Sequence, residues 1–430
     1  MPSNSARTVR IAIVGGGIGG LFCALSIHHH CSAAGVPLEV DVYEQASQYK
    51  EIGAGVGIGV NAARLLHKLN IGDRLNAIAG HRNGVWIRFS RFDNSEDICT
   101  LPVDDDQTVR QAPCARSDFL DLLREVVEER GAATLHTKKA FKHVEDQEDT
   151  VRLSFADGTT ATADMLIGCD GIHSSVRDSF VVDKSVFSGQ IAYRGVIPIA
   201  SLQNWPFKTY SVAWLAKHRH LLVFPIARNT QLNIVAFVTK SASEAAGIKE
   251  SWTSSCDRRD VLIDFDGFDE PARQVLSLLP DQPSKWKLND REPLDRWHYM
   301  SGKVVLLGDA AHAMLPHLGA GAGQAIEDGW VLGRALSEHL SSATRSPYFT
   351  SLESTAQLYQ TVRLPRAQKT QRTARAAGNT YEMQAEDMLD KSFEECIPMM
   401  AERTKERMKW VWEEDLDAAY ERVRDLEASS

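Results

Sequence analysis

The chain reads as an α/β protein in which a parallel sheet of nucleotide-binding type is interrupted by an antiparallel sheet and followed by helices. Three observations predict this. Residues 9–44 run strand, glycine-rich turn, helix, strand, acid. Residues 185–240 carry several runs of alternating character. A further apolar strand, KVVLL at 303–307, comes after them. Strands alternating with helices imply a parallel sheet, and short alternating runs separated by turns imply an antiparallel one. At 430 residues the chain is long enough for about two or three domains.

VRIAIV at 9–14 is β-branched and nearly all apolar, which suits a strand buried on both faces. Gly15, Gly17 and Gly20 then form GxGxxG and lead into LFCALSIHHHC, apolar at helical spacing. LEVDVYE at 38–44 is a second strand ending on Glu44. This is the Rossmann-like dinucleotide-binding unit. Its glycines permit the tight turn, the close approach of a pyrophosphate and the packing of helix on strand. The helix N-terminus offers unpaired N–H groups to the phosphates, and Glu44 stands where it can accept hydrogen bonds from an adenosine ribose.

Signals are mixed between 45 and 160. Asn61 is placed as the cap of a helix over AARLLHKLNI, with Gly72 after its end. Ser117 or Asp118 starts DFLDLLREVVEERG, which Gly131 closes. TVRLSFADGTTATADMLIGCDG reads as two strands around an Asp157-Gly158 turn. The antiparallel runs are GQIAYRGVIPI, YSVAWLA, HLLVFPI and LNIVAFV. From about 350 the chain is polar and helical; Trp410, Trp412 and Leu416 are expected to pack on the body of the molecule. The expected domains are interleaved: 1–75, 105–180 and 290–350 for the nucleotide, 76–104 and 181–289 for the substrate, and 351–430 as a helical segment.

Composition narrows the function. Hydrophobic residues make up 43% and charged residues 24%, ordinary for a globular protein, and the net charge of −9 argues against a nucleic-acid partner. Seven scattered cysteines without a CxxC pair fit reduced thiols. No N-terminal signal and no apolar run of about 18 residues is seen, so the expectation is a cytoplasmic chain without a membrane partner. His28, His29 and His30 are consecutive on a helix and point in different directions, and no zinc-type spacing occurs, so no metal is expected.

Two later motifs carry chemistry. Asp170 and Gly171, followed by Ser174 and Arg177, form a turn at a strand end that faces either a cofactor or only solvent. GDAAHAMLPHLGAGAGQAIEDG at 308–329 is richer. Asp309 ends a buried strand, where a carboxylate accepts hydrogen bonds from a polyol. The run Gly319, Ala320, Gly321, Ala322, Gly323 exposes backbone N–H groups at a helix start, where a developing anion is stabilised. Two anion-binding turns far apart in sequence suit one long cofactor, phosphates at one turn and isoalloxazine at the other.

GGGIGG near the start, Cys169-Asp170-Gly171 in the middle and Gly308-Asp309 near the end, in that order, resemble the FAD-dependent aromatic monooxygenases of the para-hydroxybenzoate hydroxylase-like group. Within that group EIGAGVGIGVNA at 51–62, HLLVFPI at 220–226, LNIVAFV at 232–238, the interior of the third motif and WVWEEDLD at 410–417 are most similar to the salicylate hydroxylases. The resemblance spans about residues 9–420.

It implies FAD as cofactor, NADH or NADPH as reductant and O2 as co-substrate. A C4a-hydroperoxyflavin would then hydroxylate a phenolate, releasing CO2 and catechol if the substrate is salicylate. A hydroxylase that retains the carboxylate on another hydroxybenzoate, a hydroxynicotinate or a polyketide-type phenol is the alternative, and a non-catalytic FAD-binding protein a further one. Arg116 resembles the arginine that touches the flavin diphosphate–ribityl region. His317, with Pro316 beside it, is the candidate base at the flavin's reactive edge. Arg194 is a candidate partner for the substrate's anion. Strand alternation puts His220, Leu222 and Phe224 on one face as pocket wall. Phe224 stands where related hydroxybenzoate hydroxylases have tyrosine. Gly53, Gly55, Gly57 and Gly59 would lie flat beside the flavin or form a flexible loop, with Gly57 next to substrate. The small aromatic acid is the expected partner, and the chain is a monomer or a homodimer.

Overall fold

The computed structural model describes residues 8–49, 55–104, 107–248, 254–341 and 351–429. Its larger parallel sheet has six strands. In order across the sheet they are His298–Tyr299, Val304–Leu306, Met165–Gly168, Val9–Val14, Leu38–Tyr43 and Thr134–His136, parallel except for the first pair. Ile11, Ala12, Ile13 and Val14 are buried, as an all-apolar strand covered on both faces must be. The helix Ile18–Ala33 runs along Gly321–Leu340. The approach is so close that a Cβ on Gly333 would stand 2.6 Å from Ser26 Oγ. The opening motif and the third motif are thus packed against each other.

The second sheet has seven strands: Ser284–Asp290, Val186–Pro198, Gln231–Thr239, Arg219–Ile226, Val212–Ala216, Val85–Arg91 and Asp97–Pro102. All neighbours are antiparallel except Val212–Ala216 with Val85–Arg91. Alternation sorts its two faces. Ile191, Tyr193, Leu221, Val223, Ile234 and Ala236 pack on Val261, Phe265, Ala272 and Val275 from the helices Arg258–Asp264 and Glu270–Ser277. Ala192, Val235, Phe237 and Trp286 point the other way, with Leu222 against them, toward Leu315 of the third motif.

Several local expectations change. Gly59, not Asn61, caps the helix Val60–Lys68. Asn61 lies inside the helix because its side chain is drawn to Glu327, 2.6 Å away. That helix ends before Asn70, which takes a left-handed φ of 56°, and Gly72 instead opens the next helix, Gly72–Ile78. The helix expected from Ser117 or Asp118 begins at Arg116, with Ala115 as its cap, and Gly131 closes it in the left-handed conformation. The segment around Asp157 is three strands rather than two. Thr150–Phe155 and Thr160–Ala163 pair in a small sheet, whereas Met165–Gly168 leaves it for the parallel sheet. The glycine run is partly a strand, Gly55–Ile58, paired with Ala112–Ala115; Gly53 lies outside the described residues.

The helix Leu352–Tyr381 begins with a capping box on Ser351 and packs on Gly321–Leu340. Trp410 and Trp412 lie on the body of the molecule: Lys369 sits 4.0 Å over the Trp410 ring, and Trp412 meets Trp86 edge-on at 4.8 Å. Leu416 is buried. Among the described residues no helix is long and apolar enough to cross a membrane.

Candidate active site

The glycine turn joins the first motif to the second and opens a helix N-terminus. Gly15 has φ 106°, and a Cβ there would stand 2.8 Å from the Asp170 amide, so the first and second motifs touch. At Gly20 a Cβ would overlap the Gly15 carbonyl. Gly17 is different. Its φ is −76°, and apart from its own chain neighbours no described residue would lie within 4 Å of a Cβ. Neither backbone nor packing requires glycine there, and the open space fits a pyrophosphate lying on the turn. The helix that follows has no side-chain cap and no acid in its first turn, leaving its N-terminal dipole to a phosphate. Glu44 accepts the Gly16 N–H at 2.9 Å and the Ala46 N–H at 2.7 Å. The acid therefore braces the glycine loop at the position expected for ribose recognition.

The Asp170 carboxylate is turned inward. It accepts from Ser174 Oγ at 2.5 Å and the Val176 N–H at 3.1 Å, and burial pushes its pKa up. Gly171 completes the turn at φ 81°. Arg177 does not face a cofactor: it is fully buried and ion-paired to Asp183, and it donates to the carbonyls of Ala310 at 3.2 Å and Ala311 at 3.4 Å. It ties the second motif to the third.

In the third motif Asp309 is exposed, and a Cβ on Gly321 would stand 4.0 Å from its Oδ1. Gly319 is exposed at φ 59°, with its carbonyl 3.9 Å from the Cβ position of Gly57. Ala322 is half-buried. Gly323 is buried and faces Asn61 and Ala62, so it serves helix packing. Like the opening helix, Gly321–Leu340 has neither a side-chain cap nor an acid in its first turn. Arg116 follows directly on Ala112–Ala115, the partner of Gly55–Ile58. These residues fit an extended FAD held at two helix N-termini, with Asp309 between for the ribityl hydroxyls. Asp309→Ala should give folded protein depleted of flavin; a normal yellow holoprotein, read from its absorbance spectrum, would remove Asp309 from this role.

Beneath the third motif lies a buried charge cluster that the sequence reading did not assemble. Asp328 accepts from the Gly308 N–H at 3.0 Å and pairs with His312 at 2.5 Å and Arg363 at 2.8 Å. Glu327 takes Arg363 at 2.5 Å and Arg366 at 2.7 Å. Burial alone would raise the Asp328 carboxyl, but His312 and Arg363 outweigh it and hold the pKa below the usual carboxylate range. His312 is thus packed under the loop, as its apolar neighbours suggest. The arginines that pair with Glu327 and Asp328 come from the distant helix Leu352–Tyr381.

The candidate residues for the substrate lie where the seven-stranded sheet meets residues 315–319. His317 is buried, and its Nε2 lies 2.8 Å from Gln190 Oε1. Its Nδ1 is buried with no hydrogen-bond partner among the described residues. The ring packs at 5.0 Å from Phe237, 5.4 Å from His220 and 6.4 Å from Tyr381. Burial, followed by His220, Arg407 and Arg375, holds the His317 pKa well below the usual imidazole range. Pro316 is exposed and opens the short turn that carries His317. His220 shares this face but is engaged: its Nδ1 is 2.8 Å from the fully buried Glu382, and its ring stacks on Phe237 at 4.3 Å.

Arg194 lies 5.3 Å over Trp286 and reaches the Gly55 carbonyl at 3.4 Å. Leu222 joins the apolar wall of Val235, Phe237, Trp286 and Leu315. Phe224 lies under the glycine strand: a Cβ on Gly55 would stand 2.8 Å from the Phe224 ring and from Asn233. The sheet itself thus requires glycine at 55. Missed by sequence reasoning were Gln190, Asn233, Phe237, Trp286, Gly378, Tyr381 and Glu382. Applying the alternation of 220–224 to the neighbouring strands finds the first four. The last three come from the end of Leu352–Tyr381, which nothing local places here.

A surface cavity of about 660 Å³, lined by Arg88, Phe207, Lys208 and Asp269 among others, shares none of these residues. His29 and His30 lie against Trp330, at 6.0 and 4.5 Å.

Known proteins match this geometry. A family model described as an FAD binding domain matches residues 8–374. Salicylate hydroxylase of Pseudomonas putida is 32% identical over 96% of this chain and 94% of its own. A 3-amino-4-hydroxybenzoate 2-monooxygenase of Streptomyces platensis is 31% identical over 87% of this chain and 89% of its own. A solved salicylate hydroxylase substrate complex superposes with a TM-score of 0.79 at 28% identity, covering 97% of this chain and 98% of that one.

Proposed function

The chain belongs to the FAD-binding family whose model covers residues 8–374, as an FAD-dependent aromatic monooxygenase, and from that premise we propose that it converts salicylate, O2, NAD(P)H and protons to catechol, CO2, water and NAD(P)+. The observation that carries the reading is the bare, buried Nδ1 of His317 beside an aromatic-walled face bearing Arg194. A planar phenolic acid offers the matching groups: a ring for Phe237 and Trp286, an anion for a guanidinium and a phenolic proton for a base.

Bound FAD, reduced by NAD(P)H, supplies the oxygen-transfer chemistry. The chain does the rest. Arg194 orients the carboxylate, the apolar wall excludes water, and His317 takes the phenol's proton so that the ring becomes more nucleophilic. The uncapped N-terminus of Gly321–Leu340 offers N–H groups to negative charge on the reduced ring system.

Salicylate should stimulate NAD(P)H oxidation, and catechol should form in near match to the NAD(P)H consumed. Similarity to the 3-amino-4-hydroxybenzoate enzyme favours a second reading, hydroxylation with the carboxylate retained. A dihydroxybenzoate product would establish that reading instead. Absence of phenol-stimulated NAD(P)H oxidation with any phenolic acid would favour a non-catalytic FAD protein.

A further inference from the structure

We propose that Gln190 is a positioning residue that sets the tautomer of His317, so that Nδ1 is the nitrogen that accepts the substrate's phenolic proton. The inference rests on the hydroxylase reading above for its chemistry, but its geometry stands alone. Gln190 Oε1 is 2.8 Å from His317 Nε2, and an amide oxygen can only accept. With the Gln190 amide in this orientation the imidazole donates from Nε2, and a neutral ring then carries its lone pair on Nδ1. That atom is buried and has no hydrogen-bond partner among the described residues.

Both members are held in place. Gln190 is buried in Val186–Pro198 opposite Thr239, and Ser188 Oγ accepts its N–H at 3.2 Å. It shares its sheet face with Ala192 and Arg194 by alternation. His317 is boxed in by Phe237, His220 and Tyr381. A Cβ on Gly378 would come 2.5 Å from its Nε2, so only glycine there leaves room for the ring.

The titratable and charged groups around His317 are His220, itself paired to Glu382, Tyr381, and Arg375 and Arg407. Arg375 is bonded to Asp290, at 3.1 Å from its Nε. The cations disfavour a second proton on the ring in the absence of an anion. When a phenol binds, its O–H bond breaks and an Nδ1–H bond forms. The products are a phenolate and an imidazolium that still donates from Nε2 to Gln190, and the two charges compensate each other.

The test uses holoenzyme with ¹⁵N-labelled histidine, the His317 signals being those lost in His317→Asn. Wild type should show Nε2 protonated and Nδ1 bare. Gln190→Leu should mix the tautomers and lower kcat for salicylate at least about tenfold, in the direction known for a histidine left in the wrong tautomer, with KM within about twofold. Its ultraviolet difference spectrum should show less phenolate on salicylate binding. Gln190→Glu keeps an acceptor on Nε2, so it should keep the tautomer and the phenolate signal while moving the acid limb of the pH profile upward. A proton on Nδ1 in wild type would overturn the proposal, as would a Gln190→Leu enzyme with wild-type tautomer and kcat. If Gln190→Leu does not fold, the wild-type spectrum and Gln190→Glu decide it. If salicylate is not turned over but the Nε2–H tautomer is found, the substrate reading fails and the Gln190 assignment stands.

Discussion

His317→Asn should lower hydroxylation by about 10²- to 10⁴-fold, the usual contribution of a positioned general base, while FAD remains bound. The asparagine keeps a polar group for Gln190 but has no basic nitrogen. The pH dependence should change as well. In wild type, burial and the nearby His220, Arg407 and Arg375 hold the His317 pKa well below the imidazole range. The neutral, proton-accepting ring therefore persists below about pH 6.5, and activity should not fall there through loss of this base. The variant must wait for the phenol to ionise by itself, near pH 10 for a free phenol such as tyrosine, so its residual rate should climb with pH. Steady-state kinetics from about pH 6 to about pH 9, spanning the range of an ordinary imidazole, measures both effects. Unchanged turnover across that range would remove His317 from the chemistry.

Arg363→Met should destabilise the fold by about 3–5 kcal/mol, the cost of stripping the partner from a buried charge. Arg363, Glu327 and Asp328 are all buried, and the arginine bonds to both carboxylates. Methionine fills much of the volume, so the loss reports the uncompensated carboxylates rather than a cavity. Both carboxyls are held below their usual range despite burial, by Arg363 and Arg366 for Glu327 and by His312 and Arg363 for Asp328. Depressed carboxyl values contribute stability that is complete above the unfolded value, about pH 4, and lost as the pH falls through the folded one. The gap between wild type and variant in urea midpoint should thus be wide at neutral pH and narrow in acid. A gap of under about 1 kcal/mol at neutral pH would mean that these charges are solvated after all. Because Asp328 also accepts the Gly308 N–H, flavin affinity should fall together with stability.

What the sequence reading reached, and where it stopped, follows from the range of the interactions. GxGxxG and the strand–helix–strand around it are local, so Val9–Val14, the turn and Leu38–Tyr43 were legible residue by residue. The alternation at 220–224 correctly set one face of a sheet, because a period of two needs no tertiary information. Gly59 against Asn61 as cap was not legible, since Asn61 is recruited by Glu327, 266 residues away. The same holds for Glu382, whose pairing with His220 depends on where the helix Leu352–Tyr381 ends in space. Gly378 shows it most clearly: an unremarkable glycine in a polar helix leaves the space that the His317 ring occupies.

The most direct test of the proposed reaction is a turnover experiment with salicylate labelled in its carboxyl carbon. The labelled carbon should appear as CO2, one equivalent for each catechol formed and each NAD(P)H oxidised. Label retained in a dihydroxybenzoate, or NAD(P)H oxidation that ends only in peroxide, would contradict decarboxylating hydroxylation by this enzyme.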